Sequence, residues 1–302
     1  MYTDILIPTD GSDHVEHAIQ YGLSLARRYD ATVHALHVVD SSPIERKLEL
    51  TAIETDLATL PDTWYDAGDT ATQQIATQAS EYGLDAVTEV RCGIPAREIA
   101  FYIADAGIDL VCMGTRGHSG LNRFLLGSVT VRVVRTVDVP VLCVKTKPTE
   151  KLSESELCED FENILVPTNG SKQAQNAVSY ALDLAQVYDA TLHAIYVVDD
   201  RRAYASRPGW TWDELKQTLE QHGETVLKPV QSQATTDEVA VVTKIPHGVP
   251  HQAILDYCDQ HAIDLVVMGT HGRSGLSRQL IGSVSERVLR SAKIPILTIR
   301  GE

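Results

Sequence analysis

The feature that most constrains this 302-residue chain is that it repeats itself. Residues 4–12 (DILIPTDGS) return as residues 163–171 (NILVPTNGS), and residues 29–35 (YDATVHA) return as 188–194 (YDATLHA), both at an offset of 159. Further on, residues 109–144 align without gaps on residues 264–299 at an offset of 155, and 20 of those 36 positions are identical, too many for chance. One structural plan is therefore used twice in succession. The drop in offset places a four-residue shortening of the second copy between Asp40 and Asp109 in first-copy numbering. The stretch from Lys145 to Asp160 is polar and acidic and contains Pro148, as a connection between separately packed units should be. The expected organisation is a first domain over 1–147, a linker over 148–160 and a second domain over 161–302. Each copy is near the usual domain size of roughly 150 residues and can bury its own core.

Within each copy, short apolar runs alternate with segments of helical period. In the first copy the pattern gives strands at Ile5 to Pro8, Thr32 to Val39, Ala86 to Arg91, Leu110 to Met113 and Val141 to Val144. It gives helices on the Val15, Ile19, Leu23, Ala26 spacing and over Pro95 to Ala106 and Ser128 to Thr136. Alternation of this kind specifies an α/β fold with a parallel sheet covered by helices on both faces. The segment Glu45 to Glu81 is rich in helix formers, and Pro61 and Gly68 are expected to break it.

Composition removes several classes of function. The net charge of −15 is a poor match to a polyanion, so nucleic acid is not an expected partner. No apolar run approaches the ~20 residues that span a bilayer, and no membrane partner is expected. The first residues, MYTDILIP, lack a basic region followed by a long apolar one and read as a strand, which points to a cytoplasmic location. The five cysteines, Cys92, Cys112, Cys143, Cys158 and Cys258, form no C-x-x-C pair and fit small buried hydrophobes better than a disulfide framework.

In an open parallel sheet, ligands bind beyond the carboxyl ends of the strands. The first strand is followed there by Pro8, Thr9, Asp10 and Gly11, and the fourth by Gly114, Gly117 and Gly120, then Gly127 and Ser128 at the start of a helix. Glycines allow close approach of the backbone to a ligand, and free N–H groups at a helix start favour an anion. The second copy keeps Gly269, Gly272, Gly275, Gly282 and Ser283 at the same spacing while other side chains have drifted. This is a phosphate cradle that needs no basic surface. It is neither a Walker A loop nor a dinucleotide fingerprint, because Gly-x4-Gly-Lys-Ser/Thr and Gly-x-Gly-x-x-Gly are both absent from it.

The pairing of Pro-Thr-Asp after the first strand with Gly-x2-Gly-x9-Gly-Ser after the fourth resembles the universal stress protein family, in its nucleotide-binding branch and tandem form. The resemblance covers nearly the whole chain outside the linker. It implies two tandem open-twisted five-stranded parallel sheets of strand order 3-2-1-4-5, the adenine nucleotide alpha hydrolase-like fold. It also implies a bound adenine nucleotide, ATP or AMP or ADP, often with Mg. By that resemblance Asp10, flanked by Pro8 and Thr9, would meet the ribose or adenine, and Val38 the adenine edge. Met113 and Gly114 would line the ribose side, while Gly117, Gly127, Ser128 and Val129 would hold the phosphates, with Arg116 beside them. The matching positions of the second copy are Thr168, Asn169, Val197, Met268, Gly269, Gly272, Gly282, Ser283 and Val284. Asn169 departs from the motif, because its amide oxygen accepts a hydrogen bond without a charge. The resemblance further suggests that the copies pack as a pseudo-two-fold pair through Val141 to Val144 and Ile296 to Ile299, and a further homodimer is left open.

The remaining candidates have plainer explanations. His34 and His37 sit three apart on a strand and face opposite ways, and Pro250 separates His247 from His251, so no protein-held metal site is expected. Ser12 or Asp13 is expected to cap the first helix. Trp210, Trp212 and Tyr204 are expected to pack over the sheet or an interface. The expected function is a nucleotide-binding stress or signalling module with at most a weak ATPase activity. The alternatives are a slow ATP-hydrolysing enzyme on the same sheet and a duplicated structural domain with vestigial sites, and cyclic AMP in place of ATP is not distinguished.

Overall fold

A computed structural model describes residues 2–41, 62–115, 126–145, 160–199, 212–270 and 281–300. The chain divides into two compact units, Met1–Cys158 and Glu159–Glu302. The first unit runs β1 (Asp4–Thr9), a single 3-10 turn (Asp13–Val15), α1 (Glu16–Tyr29), β2 (Thr32–Asp40), α2 (Asp62–Glu81), β3 (Ala86–Gly93), α3 (Pro95–Ala106), β4 (Leu110–Gly114), α4 (Ser128–Thr136) and β5 (Val141–Val144). Its strands are all parallel and lie in the order β3-β2-β1-β4-β5. Ile5 registers with Val33 on one side and Leu110 on the other. This is the 3-2-1-4-5 sheet that the sequence implies.

The second unit repeats the plan with β6 (Asn163–Pro167), α5 (Lys172–Tyr188), β7 (Thr191–Ile195), α6 (Trp212–Thr236), β8 (Val241–Lys244), α7 (Pro250–Gln260), β9 (Leu265–Gly269), α8 (Ser283–Ser291) and β10 (Ile296–Ile299). Its strand order is β8-β7-β6-β9-β10, again parallel throughout. Among the described residues no helix is long and apolar enough to cross a membrane.

The central strands are buried on both faces, with Ile5, Leu6, Ile7, Leu110, Ile164, Leu165 and Leu192 all below 2% exposed, as strands covered by two helical layers should be. Helices α1 and α2 cover one face: Gly22 of α1 lies over Ile7, and Gly68 of α2 lies over His37. Helix α3 covers the other face and packs with α4. Helices begin and end on local signals. Pro95 and Pro250 occupy the first turns of α3 and α7, and Gly107 closes α3 with φ 69°. Asp30 and Asp189 end α1 and α5 in the left-handed region, which Asp tolerates better than most residues.

Three devices are built twice. The carboxylate of Asp109 accepts from the Thr3 N–H at 2.8 Å, and that of Asp264 accepts from the Asn163 N–H at 2.8 Å, tying the start of the first strand to the turn before the fourth. Tyr2 meets Tyr29, and Phe161 meets Tyr188, edge to face at 4.9 Å. His34 and His193 each place Nδ1 2.9 Å from a buried hydroxyl, of Tyr102 and Tyr257. On the opposite side, His34 Nε2 meets the Asp4 carboxylate at 3.1 Å and His193 Nε2 meets the Asn163 amide oxygen at 3.3 Å. Among the cysteines, Cys112, Cys143 and Cys258 are buried and Cys92 is half-buried. Burial pushes the Cys143 and Cys258 thiols up to about 12, so both act as apolar filling.

Two sequence expectations are corrected. Gly68 does not interrupt the helix: α2 runs unbroken from Asp62 to Glu81. A Cβ at Gly68 would stand 2.7 Å from the His37 ring, so the glycine serves close packing of helix on strand. Ser12 does not cap the first helix either, because its hydroxyl donates to Asp10 and makes no side-chain bond to the helix start.

Candidate functional site

The site forms where β1, β2 and β4 end. After β1 the chain must turn at once into the first helical layer, and Gly11 does so at φ +75°, where a side chain would be strained. Three hydrogen bonds hold this turn. Thr9 Oγ1 accepts from the Gly11 N–H at 3.0 Å, and Asp10 Oδ1 accepts both the Ser12 N–H at 3.1 Å and the Ser12 hydroxyl at 2.6 Å. The Asp10 carboxylate is therefore fixed at the strand end.

The glycine loop is anchored at both feet. At its start, Thr115 is 2% exposed and its N–H donates to the Val144 carbonyl at 2.9 Å. At its end, the Gly127 N–H donates to the Thr115 carbonyl at 2.7 Å, and Thr130 Oγ1 donates to the Gly114 carbonyl at 2.9 Å. A Cβ at Gly127 would come within 3.1 Å of the Thr115 carbonyl oxygen, so close approach, and not an unusual φ, requires glycine here. Gly127 is the N-cap of α4 and offers no side chain to cap it. The first N–H groups of α4 thus have no intrahelical acceptor and lie at the positive end of the helix dipole.

These elements enclose a cleft of about 700 Å³ lined by Pro8, Thr9, Asp10, Val38, Met113, Gly114, Gly127, Ser128 and Val129. All nine are residues singled out in the sequence. Arg116 and Gly117 of the first copy, and Gly272 of the second, lie outside the described residues, as do Tyr204, Trp210 and the side chain of Trp212. The cleft walls also include His37, Asp40, Trp64, Pro95 and Ile99, none of which the strand-end motifs indicated. Pro95 and Ile99 come from α3, and Trp64 comes from α2. Helix-borne residues of this kind leave no motif, and the only signal for Trp64 was a large aromatic in an otherwise polar stretch.

The cleft is apolar along β2 and β4 and carries two carboxylates, Asp10 and Asp40, with no Lys or Arg among its described lining residues. Among the described residues, an anion would be attracted there through backbone N–H groups and the helix dipole, or through a cation shared with the carboxylates. Among the described residues no three His, Cys, Asp or Glu converge to hold a metal unaided. A divalent cation would therefore take most of its ligands from a bound phosphate and water, with Asp10 the protein carboxylate best placed to join them.

The second copy reproduces the scaffold with changes. Thr270 donates from its N–H to the Ile299 carbonyl at 2.9 Å, the Gly282 N–H donates to the Thr270 carbonyl at 2.6 Å, and Ser285 Oγ donates to the Gly269 carbonyl at 2.8 Å. Ser283 and Val284 open α8 over the uncapped Gly282, and Met268 is buried at the end of β9. In the first turn, Gly170 takes φ +75° beside the buried Thr168, and Asn169 Oδ1 accepts the Ser171 N–H at 3.0 Å. Ser171 Oγ now accepts the Ala174 N–H at 3.3 Å and caps α5. Strand β7 stops at Ile195 and Val197 lies between it and an isolated parallel bridge of Val198 with His247, whereas Val38 lies within β2.

Comparison with known proteins places this geometry. The chain is 35% identical over 140 residues to a universal stress protein of Methanocaldococcus jannaschii, spanning 46% of this chain and 82% of the relative. It is 28% identical over 303 residues to a universal stress protein of Mycolicibacterium smegmatis, spanning 98% of this chain and 96% of the relative. In fold it is similar to the crystal structure of a universal stress protein from Archaeoglobus fulgidus, at a TM-score of 0.70 and 23% identity over 98% of this chain and 96% of that one. The model of the universal stress protein family matches residues 1–145 and again 160–300, and the chain accordingly belongs to that family, with its domain present in two tandem copies.

Proposed function

We propose that the first unit binds an adenine nucleotide, ATP with magnesium, at the carboxyl ends of β1, β2 and β4, and that occupancy of the site is a signal in a stress response. The observation that carries this reading is the convergence of Asp10, Val38 and the uncapped start of α4 on one cleft of about 700 Å³. Val38 and Met113 offer an apolar bed for a base and sugar. Asp10 is positioned to accept from a ribose hydroxyl or to share a hydrated cation, and the N–H groups of Ser128 and Val129 face the place where phosphates would lie. The Gly-x2-Gly-x9-Gly-Ser spacing supports the same assignment and adds Arg116 and Gly117 from the loop. The fit is favourable because a Cβ at Gly127 would fill the cradle against Thr115.

The second unit, through Thr168, Asn169, Val197, Met268, Gly269, Gly272, Gly282, Ser283 and Val284, offers a weaker version of the same site. Asp10 already accepts two hydrogen bonds from Ser12, which makes it a poor general base and favours binding over hydrolysis. The decisive experiment is mass spectrometry of nucleotide released from the denatured purified protein, followed by calorimetric titration with ATP in the presence and absence of magnesium. Co-purified or titratable ATP is expected. Protein that carries no nucleotide and gives no binding heat with ATP overturns the reading.

A further inference from the structure

Three large hydrophobic side chains stand out as exposed among the described residues: Trp64 at 44%, Val87 at 43% and Phe101 at 47%. Phe101 has the Arg97 guanidinium over its ring at 5.2 Å, and Val87 lies on β3, at one end of the strand order. Trp64 alone of the three lines the cleft. An indole left half in water is an unfavourable use of the largest apolar side chain unless something covers it. Trp64 projects from the first turn of α2, one turn before Gly68, whose close contact with His37 fixes the height of that helix over β2. Its ring is therefore delivered to the β2 side of the cleft by packed secondary structure.

We infer that Trp64 stacks on the base of the bound nucleotide, making the first site selective for phosphate ligands that carry a planar base. This inference rests on the nucleotide reading above and adds the residue that grips the base. The second copy supplies an internal contrast. Its α6 glycine, Gly223, would press a Cβ to 2.9 Å from Tyr196, the repeat equivalent of His37, so Gly68 and Gly223 correspond. Four residues earlier, where the first copy has Trp64, the second has Leu219. A leucine has no π face, so this position offers the second site no stacking partner.

The test uses the full chain with Trp210→Phe and Trp212→Phe, which leaves Trp64 as the single tryptophan. Saturating ATP is expected to change its fluorescence and shield it from acrylamide, while inorganic tripolyphosphate does neither. In calorimetry, Trp64→Leu is expected to weaken the tighter ATP site by about tenfold, within the range that base stacking on an aromatic supplies. Trp64→Phe should retain most of the affinity, and tripolyphosphate binding should be the same in all three proteins. If ATP binds the parent and Trp64→Leu equally, the stacking inference falls while the nucleotide site stands. Equal losses for ATP and tripolyphosphate would mean that Trp64 only shapes the fold, which also overturns it. If the parent binds no ATP, both readings fall together.

Discussion

The Ser12 hydroxyl donates to the Asp10 carboxylate at 2.6 Å, while the hydroxyl of its counterpart Ser171 accepts the Ala174 N–H at 3.3 Å. The two turns differ two residues earlier, where Asp10 stands in the first copy and Asn169 in the second. The Asp10 carboxylate offers the serine hydroxyl a charged acceptor, which the neutral amide of Asn169 does not. In the first copy the helix starts with a 3-10 turn, and in the second α5 starts directly.

The first prediction concerns these two turns. With magnesium present, the first site should bind ATP about tenfold more tightly than the second, because hydrogen bonds to charged groups exceed neutral ones by roughly 1 kcal/mol or more. Without magnesium the gap should narrow or invert, since the carboxylate then repels the triphosphate. Titrations of the parent, Asp10→Asn and Asn169→Asp in both conditions check this. Asp10→Asn should level the sites downward, and Asn169→Asp should level them upward.

A second prediction follows from the contact of Gly127 with Thr115. Gly127→Val should lower ATP affinity at the first site by more than about tenfold, because the new side chain presses on the Thr115 carbonyl and screens the N–H groups of α4. Gly127→Ala should have a smaller effect. Arg116→Ala should be weaker still, at about 1 kcal/mol or less, as expected of a solvent-screened charge. Calorimetry of the three variants gives the ordering directly.

Gly68→Ala provides a test of stability. In an exposed helix interior that change stabilises by about 1 kcal/mol. Here the methyl would meet the His37 ring at 2.7 Å and Val90 at 3.0 Å, so α2 must lift from β2. The expected result is a destabilisation of about 1–3 kcal/mol, read as a lower urea midpoint at unchanged slope.

The pH dependence of folding should differ between the copies. Burial, and then the neighbouring His261 imidazole, hold His193 below the usual histidine range. Its protonation therefore favours the unfolded chain, and its contribution to stability is full above about pH 6.5 and is lost as pH falls through the lowered native value. Facing it are the Tyr257 hydroxyl, the Asn163 amide and His261. Asn163→Asp would put a carboxylate at His193 Nε2, as Asp4 stands at His34 Nε2 in the first copy. Urea unfolding at pH 5.5 and 7.5 should show a smaller acid-side loss for Asn163→Asp than for the parent.

The repeat, the alternation of strands with helices and the glycine spacing were legible in the sequence because each is a local pattern. Strand length sets the apolar runs, helical period sets the apolar faces, and a turn that must approach a phosphate admits only glycine. Those patterns give the helices Pro95–Ala106 and Ser128–Thr136 and nine of the residues that line the cleft. What residues distant in sequence do together had to come from the tertiary structure. Gly68 reads as a helix breaker until β2 brings the His37 ring beneath it. Ser12 reads as a cap until the turn after β1 presents a charged oxygen that binds it more strongly. Trp64 carries no motif, and close packing of α2 on β2 brings it to the cleft. In each case the role depends on a group distant in the local pattern, and only the folded geometry determines which groups are within reach.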